Sequence, residues 1–337
     1  MTLLCELPYR CANIDEKGNV YPCCSGYCNG FSFGNIFYEK EFENIWNGDR
    51  AKEFRKQFVE QKYNYCNLNV CIPHRSEDNT IALTETSEKR PSSVLLGYDR
   101  TCNVKCIFCN PEHNNYSKKF IENEEWYIDL LKDVSQVNVS CNGEALASEH
   151  SRNLIKKIVE VYPNIKFDIL TNGLLFNEIN LNELGILNKL SNVGISFHSL
   201  NKETYNKLVK NSDFDEVMKN VKYAIYLRKQ NIIKNLEFRF VITTYNYKEM
   251  VAFAKFAQQN NATAIFMDCI QYNMSDNFYN KINIINSEHK EYNKFVKILK
   301  NPIFKENYVV INGALLSLKQ VNIFTCLKKK LINALFH

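Results

Sequence analysis

The sequence predicts an α/β fold: a partial, TIM-like (β/α)6 barrel of parallel strands, preceded by a small cysteine-rich N-terminal domain. Three observations carry the prediction. From Val94 onward, six short apolar runs alternate with longer stretches of helical periodicity, the signature of parallel strands joined by helical crossovers. Seven of the 13 cysteines stand before Cys102, so the front of the chain has a composition of its own. Between the two regions, residues 76–92 turn polar and read as a linker.

Taken in order, residues 1–75 form the cysteine-rich domain. Asp15-Glu16-Lys17-Gly18-Asn19 marks a turn, with Ile14 and Val20-Tyr21 flanking it as a short hairpin. Glu41 to Phe58 reads as a helix, because Phe42, Ile45, Trp46, Phe54 and Phe58 fall near one face. The core, residues 93–286, has strand candidates at 94–98, 136–140, 166–170, 193–197, 236–242 and 263–268. Helical stretches at 118–133, 148–162, 178–190, 201–230 and 246–260 separate them. The same alternation also fits an open doubly wound sheet. Residues 287–337 read as a C-terminal helical extension, with a helix at 287–300, a strand or turn near Tyr308–Ile311, and a helix from about Leu315 to the end. Lys328-Lys329-Lys330 stands beside Leu327, Leu331 and Ile332, the pattern of a docked helix with its lysines outward; a membrane surface or a partner is the alternative.

The totals exclude several classes. A chain of 337 residues is long for one compact unit, and 45% hydrophobic residues support a real core. The net charge of +5 is spread along the chain, so no nucleic-acid surface is expected. Met1 to Arg10 lacks the pattern of a signal peptide, and no apolar run is long enough to span a membrane. Front-loaded cysteines do not describe a disulfide scaffold; metal–thiolate centres in a reducing cytoplasm fit them better.

The chemistry concentrates in Thr101-Cys102-Asn103-Val104-Lys105-Cys106-Ile107-Phe108-Cys109, a C-x3-C-x2-C loop directly after the first core strand. Parallel α/β folds build their sites at such strand ends. Three thiolates on one loop can grip one inorganic centre. A 4Fe–4S cluster normally takes four cysteines, so three leave one iron open to a substrate or cofactor. A structural zinc site, which prefers four closed ligands, is the alternative reading, as are plain buried thiols. The other strand ends carry Cys141-Asn142-Gly143-Glu144, Thr171-Asn172-Gly173, Ser196-Phe197-His198-Ser199, the run Arg239 to Thr243 with Asn246, and Met267-Asp268. Polar groups and glycines at successive strand ends describe a ligand-lined rim. Cys141 reads as a small buried strand-end residue.

On these residues, from roughly Ser93 to Asp268, the chain resembles the radical S-adenosylmethionine (radical SAM) enzymes. The cysteine motif with its aromatic Phe108, the Asn142-Gly143-Glu144 turn, Thr171-Asn172-Gly173 and Ser196 carry the likeness. The resemblance implies a 4Fe–4S cluster on Cys102, Cys106 and Cys109, its open iron chelated by the amino and carboxylate groups of S-adenosylmethionine. One electron then yields a 5′-deoxyadenosyl radical that abstracts a substrate hydrogen. It further implies that Glu144 and the Gly143 backbone, with Asn142 before them, meet the cofactor's ammonium, and that Ser196 contacts its ribose or carboxylate. Arg239 is implied as the partner of the methionine carboxylate, which its fork suits. Phe108 and Val241 are implied to pack on the adenine. Glu144 as a helix N-cap neighbour and Arg239 pointing to solvent are the plainer readings. The chain departs from many relatives at Asn142, where they carry a second glycine, and at His198, where they carry an acid. His198 reads as a rim histidine satisfied by its surroundings.

Cys11-x6-Gly18-x4-Cys23, Phe33-Gly34-Asn35-Ile36, Phe42-Glu43-Asn44-Ile45-Trp46-Asn47 and Cys66-x4-Cys71 resemble the SPASM or twitch-type auxiliary domain, here placed before the barrel. That implies an auxiliary 4Fe–4S cluster, with Cys11, Cys23, Cys66 and Cys71 as ligands. Cys24 competes with Cys23, Cys5 and Cys28 are further candidates, and zinc is the alternative metal. The resemblance implies an enzyme modifying a peptide or protein, served by an electron donor such as flavodoxin or ferredoxin. A small molecule (sugar, nucleotide or metabolite) is the alternative substrate, and a non-catalytic iron–sulfur or zinc protein the second alternative.

Overall fold

The computed structural model describes residues 5–67, 71, 83–109, 118–139, 142–271, 274–312 and 315. The chain opens with α1 (Leu7–Arg10), β1 (Cys11–Ile14), β2 (Asn19–Tyr21) and β3 (Gly34–Asn35), then α2 (Phe42–Trp46) and α3 (Asp49–Val59). Next come β4 (Ser93–Leu96), β5 (Lys105–Cys106), α4 (Lys118–Glu122), α5 (Glu124–Leu130), β6 (Gln136–Val139) and α6 (Glu149–Val161). β7 (Lys166–Thr171), α7 (Glu178–Glu183), β8 (Leu190–Ser196), α8 (Lys202–Leu208), β9 (Val209–Lys210) and α9 (Phe214–Lys229) follow. The described part closes with β10 (Asn235–Val241), α10 (Met250–Gln259), β11 (Thr263–Met267), α11 (Asp276–Ile282), α12 (Tyr292–Leu299) and β12 (Val309–Asn312). The expected α/β fold is present, and the six predicted core strands are β4, β6, β7, β8, β10 and β11.

Two compact units divide the chain, and the division falls inside β7. The first is drawn from Met1–Thr101, Asn114–Asp168 and Leu184–Lys189. Its hairpin is the predicted one: Asn13 faces Tyr21 and Ile14 faces Val20, around a turn where Gly18 takes φ +80°. A side chain would be strained there. β1 also runs parallel to β4, Cys11 opposite Ser93, and β4 runs parallel to β6. The front hairpin therefore extends the parallel sheet of this unit.

The predicted helix over Glu41–Phe58 is instead two helices, broken at Asn47-Gly48. The Asn47 side chain is committed elsewhere: Nδ2 donates to Ser87 O and Oδ1 accepts from Ser87 N–H. Trp46 Nε1–H donates to Lys89 O, so the described end of the predicted linker is packed onto these helices. Arg55 is fully buried at their centre. Its Nε donates to Pro8 O and its Nη1 to Trp46 O, while the guanidinium lies 4.7 Å from the Trp46 ring and 5.2 Å from Phe33. Carbonyls and aromatic faces thus hold this cation. Farther along, Tyr98 stacks on Phe120 at 3.9 Å, and its hydroxyl bonds His150 Nε2.

The second unit is drawn from Cys102–His113, Ile169–Glu183 and Leu190–His337. Its strands run in the order β7-β8-β10-β11-β12, with β8–β10, β10–β11 and β11–β12 parallel. Burial alternates along β10, placing Leu236, Phe238 and Phe240 on one side and Glu237, Arg239 and Val241 on the other. Phe238 and Phe240 join Phe197, Phe253 and Phe266 in an aromatic core. Full burial of each such ring contributes about 1.5–3 kcal/mol. The helix predicted over 201–230 is interrupted, because Val209-Lys210 leaves α8 to pair with Lys105-Cys106. α12 and β12 match the predicted helix at 287–300 and the strand near Tyr308. The predicted terminal helix with its lysines, and Cys141, lie outside the described residues.

Candidate cofactor site

The three-cysteine loop is pinned on two sides. Cys106 pairs with Val209, Ile107 N–H donates to Leu208 O at 2.9 Å, and Cys109 N–H turns back to Cys106 O. From β7, Asn172 Nδ2 donates to Asn103 Oδ1 at 2.8 Å and reaches Cys102 Sγ at 3.8 Å. Val104 and Phe108 are buried and anchor the loop. The thiols act on one another: burial first, and Cys109 and Cys102 second, push the Cys106 thiol well above the usual range. Thiolates gathered in a dry pocket need a cationic centre, so this donor set fits an iron–sulfur cluster. Among the described residues no three His, Cys, Asp or Glu stand at single-ion spacing. A four-iron cube holds its thiolates farther apart than one ion does.

The Asn142-Gly143-Glu144 turn is welded to the segment just before Cys102. Asn142 Nδ2 donates to Gly97 O, and Glu144 N–H donates to Thr101 O at 2.7 Å. A Cβ on Gly143 would lie 2.5 Å from Thr101 O, so only glycine permits this approach. Asp99 fixes the same segment, accepting from Thr101 N–H on Oδ1 and from the Ser148 and Ser151 hydroxyls on Oδ2. Glu144 is buried, and its Oε1 accepts from Leu146 N–H. Ser148, not Glu144, caps α6.

Ser196 and Arg239 are direct neighbours in the β8–β10 register. Arg239 does not run out to solvent: its Nη2 pairs with Glu237 Oε2 at 2.8 Å, over Gly194. Val241 N–H donates to His198 Nδ1 at 3.1 Å, and the His198 ring meets Phe108 edge-on at 4.8 Å. Asn246 Nδ2 ties His198 O to Val241 O. Burial holds the His198 imidazole well below its ordinary value, at about 3, so it is neutral. Phe108, His198 and Val241 therefore come together, as do Ser196 and Arg239. Sequence reasoning placed Asn172 and Asn246 on the strand-end rim without giving either a role, and it missed Asp99 and Glu237.

In the N-terminal domain, Asn67 N–H donates to Tyr27 O and Cys71 N–H to Asn67 O, and Cys66 and Cys71 both feel the charge of Cys28. The Cys28 thiol is lowered, chiefly because Cys23 donates to it and also because amides of Cys28, Phe31 and Gly30 surround the sulfur. Asn29 and Gly30, at φ +48° and +71°, shape that turn. Burial raises Cys5 to about 12, with Cys71 and Cys66 among its charged neighbours. Cys11 lies on β1, raised to about 11 by burial and then by Glu6.

Two family models match the chain. Residues 5–71 match SPASM, an iron–sulfur cluster-binding domain, and residues 99–257 match the radical SAM superfamily. A probable GTP 3′,8-cyclase of Methanocaldococcus jannaschii is 25% identical over 213 residues, covering 59% of this chain and 66% of that protein. A GTP 3′,8-cyclase of Alkaliphilus metalliredigens is 25% identical over 182 residues, covering 51% and 54%. The chain thus spans about two thirds or less of these relatives' length. Among solved structures, Streptococcus suis SuiB bound to its precursor peptide SuiA covers 80% of this chain and 64% of its own, at 18% identity and a TM-score of 0.46. The anSMEcpe structure with bound AdoMet covers 65% and 63%, at 21% identity and a TM-score of 0.47. The matched domains imply a 4Fe–4S cluster and S-adenosylmethionine in the core, and an auxiliary iron–sulfur cluster in front of it. Residues 99–257 thus carry a radical SAM superfamily domain, and residues 5–71 a SPASM domain at the N-terminal end.

Proposed function

We propose that this chain cleaves S-adenosylmethionine reductively and uses the resulting radical to take a hydrogen from a peptide or protein. The observation that carries the first part is the pinned loop of Cys102, Cys106 and Cys109, three mutually interacting thiols held between β9 and Asn172. When bound, the cluster supplies the electron and the open iron that chelates the methionine end of the cofactor. The chain's own residues bind and orient. Asn172 donates toward Cys102 Sγ and so offsets thiolate charge. Glu144 offers a buried carboxylate to an ammonium, where a charge-assisted hydrogen bond is strong. Ser196 and Arg239, adjacent in register, offer a hydroxyl and a guanidinium fork to ribose and carboxylate, and Glu237 sets the angle of the fork. Phe108 and Val241 offer an apolar wall to adenine and exclude water.

The auxiliary cluster takes thiolates from Cys23, Cys66 and Cys71, with Cys28 beside them. The fourth place lies between Cys11 and Cys5, and Cys5 has the better claim because Cys66 and Cys71 are among its neighbours. The SPASM domain is the support for a peptide or protein substrate. A nucleotide substrate is the second reading, favoured by the relatives named GTP 3′,8-cyclase. A flavodoxin or ferredoxin would deliver the electron, in a reducing cytoplasm suited to the free thiols. No helix among the described residues is long and apolar enough to cross a membrane.

The test is anaerobic reconstitution, reduction with dithionite and addition of S-adenosylmethionine. 5′-Deoxyadenosine is expected by chromatography, and none from the Cys102/Cys106/Cys109 triple alanine variant. Its absence from wild-type protein with a cluster present and reduced refutes the proposal. Mass change in a peptide encoded beside the gene supports the first substrate reading; conversion of GTP supports the second.

A further inference from the structure

Gln57, on α3, carries a donor that none of the described residues takes up. The residue is 4% exposed. Beyond the end of α3, Gln61 and Tyr63 take φ +57° and +53°, and the chain doubles back on the helix. Lys62 N–H then donates to Gln57 O, and Tyr65 N–H donates to Gln57 Oε1, both at 2.9 Å. The Cys66 thiol is directed at the same oxygen, with Sγ 3.9 Å away. Tyr65 is itself held, its ring 4.3 Å from that of Phe31. These donors fix which end of the amide is which, because a flipped amide would set its NH2 against Tyr65 N–H. Nε2 is left buried and without a hydrogen-bond partner among the described residues. A buried donor in that state costs free energy, and native structures satisfy nearly all of them.

We infer that Gln57 Nε2–H donates to a sulfur of the auxiliary iron–sulfur cluster, either the Cys66 thiolate or a sulfide beside it. The inference rests on the reading that Cys66 is a ligand of that cluster. As the iron–sulfur bond forms, the Cys66 proton leaves to solvent. Gln57 Oε1 then loses the thiol as a donor and keeps Tyr65 N–H. The cluster brings anionic sulfurs to a place where Nε2 is the donor still to be matched. An N–H held on a cluster sulfur favours the more negative, reduced state and so raises the potential. Gln57 thereby makes the auxiliary cluster the better electron acceptor.

The Cys102/Cys106/Cys109 triple alanine chain isolates the auxiliary cluster, and Gln57→Glu and Gln57→Met are tested in it. Glutamate keeps the shape and an oxygen for Tyr65 N–H but has no N–H of its own; methionine removes the donor without adding charge. On the reconstituted full-length chain, a redox titration followed by electron paramagnetic resonance should show reduction disfavoured roughly tenfold in Q57E, a midpoint about 59 mV lower for a one-electron couple. Q57M should be disfavoured about threefold, the loss of about one hydrogen bond. A second measurement does not depend on either variant folding well. Gln57 protein grown with glutamine labelled with 15N in its side chain should show a weak 15N coupling in electron spin echo spectra of the reduced auxiliary cluster, and Q57M should lack it. No coupling in the Gln57 protein, a coupling that survives in Q57M, or a Q57M midpoint at or above that of the Gln57 protein overturns the assignment. Triple alanine protein that takes up no iron overturns the auxiliary-cluster reading, and this inference with it.

Discussion

Gly143→Ala strikes the join between the Asn142–Glu144 turn and the chain leading into Cys102. The added Cβ would lie 2.5 Å from Thr101 O, 2.7 Å from Arg100 C and 2.8 Å from Asp99 O. All three are backbone atoms of a segment tied to Asp99, so none can swing aside as a side-chain tip would. Overpacking of this kind costs about 1–3 kcal/mol. Relief by opening the turn sacrifices the Glu144 N–H bond to Thr101 O, worth about 0.5–1.5 kcal/mol. The expected loss is about 2–4 kcal/mol, concentrated beside the first loop thiol. Iron analysis after anaerobic reconstitution, with thermal denaturation, reads both consequences. Wild type should hold about eight irons and G143A nearer four, from the auxiliary cluster alone. The melting temperature should fall by roughly 5 °C or more. Full iron content with a melting temperature within about one degree of wild type would refute the reasoning.

Three further outcomes follow. Arg55→Ala strands the carbonyls of Pro8 and Trp46 and empties an aromatic box, so it should cost about 3–5 kcal/mol and the auxiliary irons, checked by denaturation and iron content. Asn172→Ala removes a donor to Cys102 Sγ and should lower the midpoint potential of the loop cluster, on the order of tens of millivolts, by redox titration. His198 is neutral and buried with its pKa depressed to about 3, so the unfolded chain binds one more proton below the ordinary histidine value. Its contribution is therefore fully present above about pH 6.5 and is lost as pH falls toward 3. H198N should flatten that acid limb by at most about 1.4 kcal/mol per pH unit, measured by denaturant titration at pH 5 and 7.

The six core strands could be read because each buries its own alternating or continuous apolar run, a local property. The loop thiols and the Gly143–Glu144 turn could be read because their chemistry is written as spacing. What stayed hidden depends on partners far away in the chain. Val209-Lys210 sits inside a helical pattern and leaves it only because Lys105-Cys106 offers a strand edge. Asn47 ends a helix because Ser87 takes both ends of its amide. The front hairpin looked like a separate module, yet Cys11 to Ile14 lie on the edge of β4. Among the cysteines, Cys11 and Cys5 are equivalent as letters; only the fold puts one on a strand and the other near Cys66 and Cys71. Arg239 is different, since its partner Glu237 stands two residues back on the same face of β10 and only Gly194 beneath them comes from another strand.

We propose that Cys102, Cys106 and Cys109 leave one iron of their cluster without a protein thiolate. Mössbauer spectroscopy of 57Fe-reconstituted protein, before and after S-adenosylmethionine, addresses that iron by itself. One iron of the loop cluster should change its parameters on addition of the cofactor, while the auxiliary irons stay as they were. A spectrum that does not move, or a protein that takes up zinc and no iron at that loop, would contradict the account.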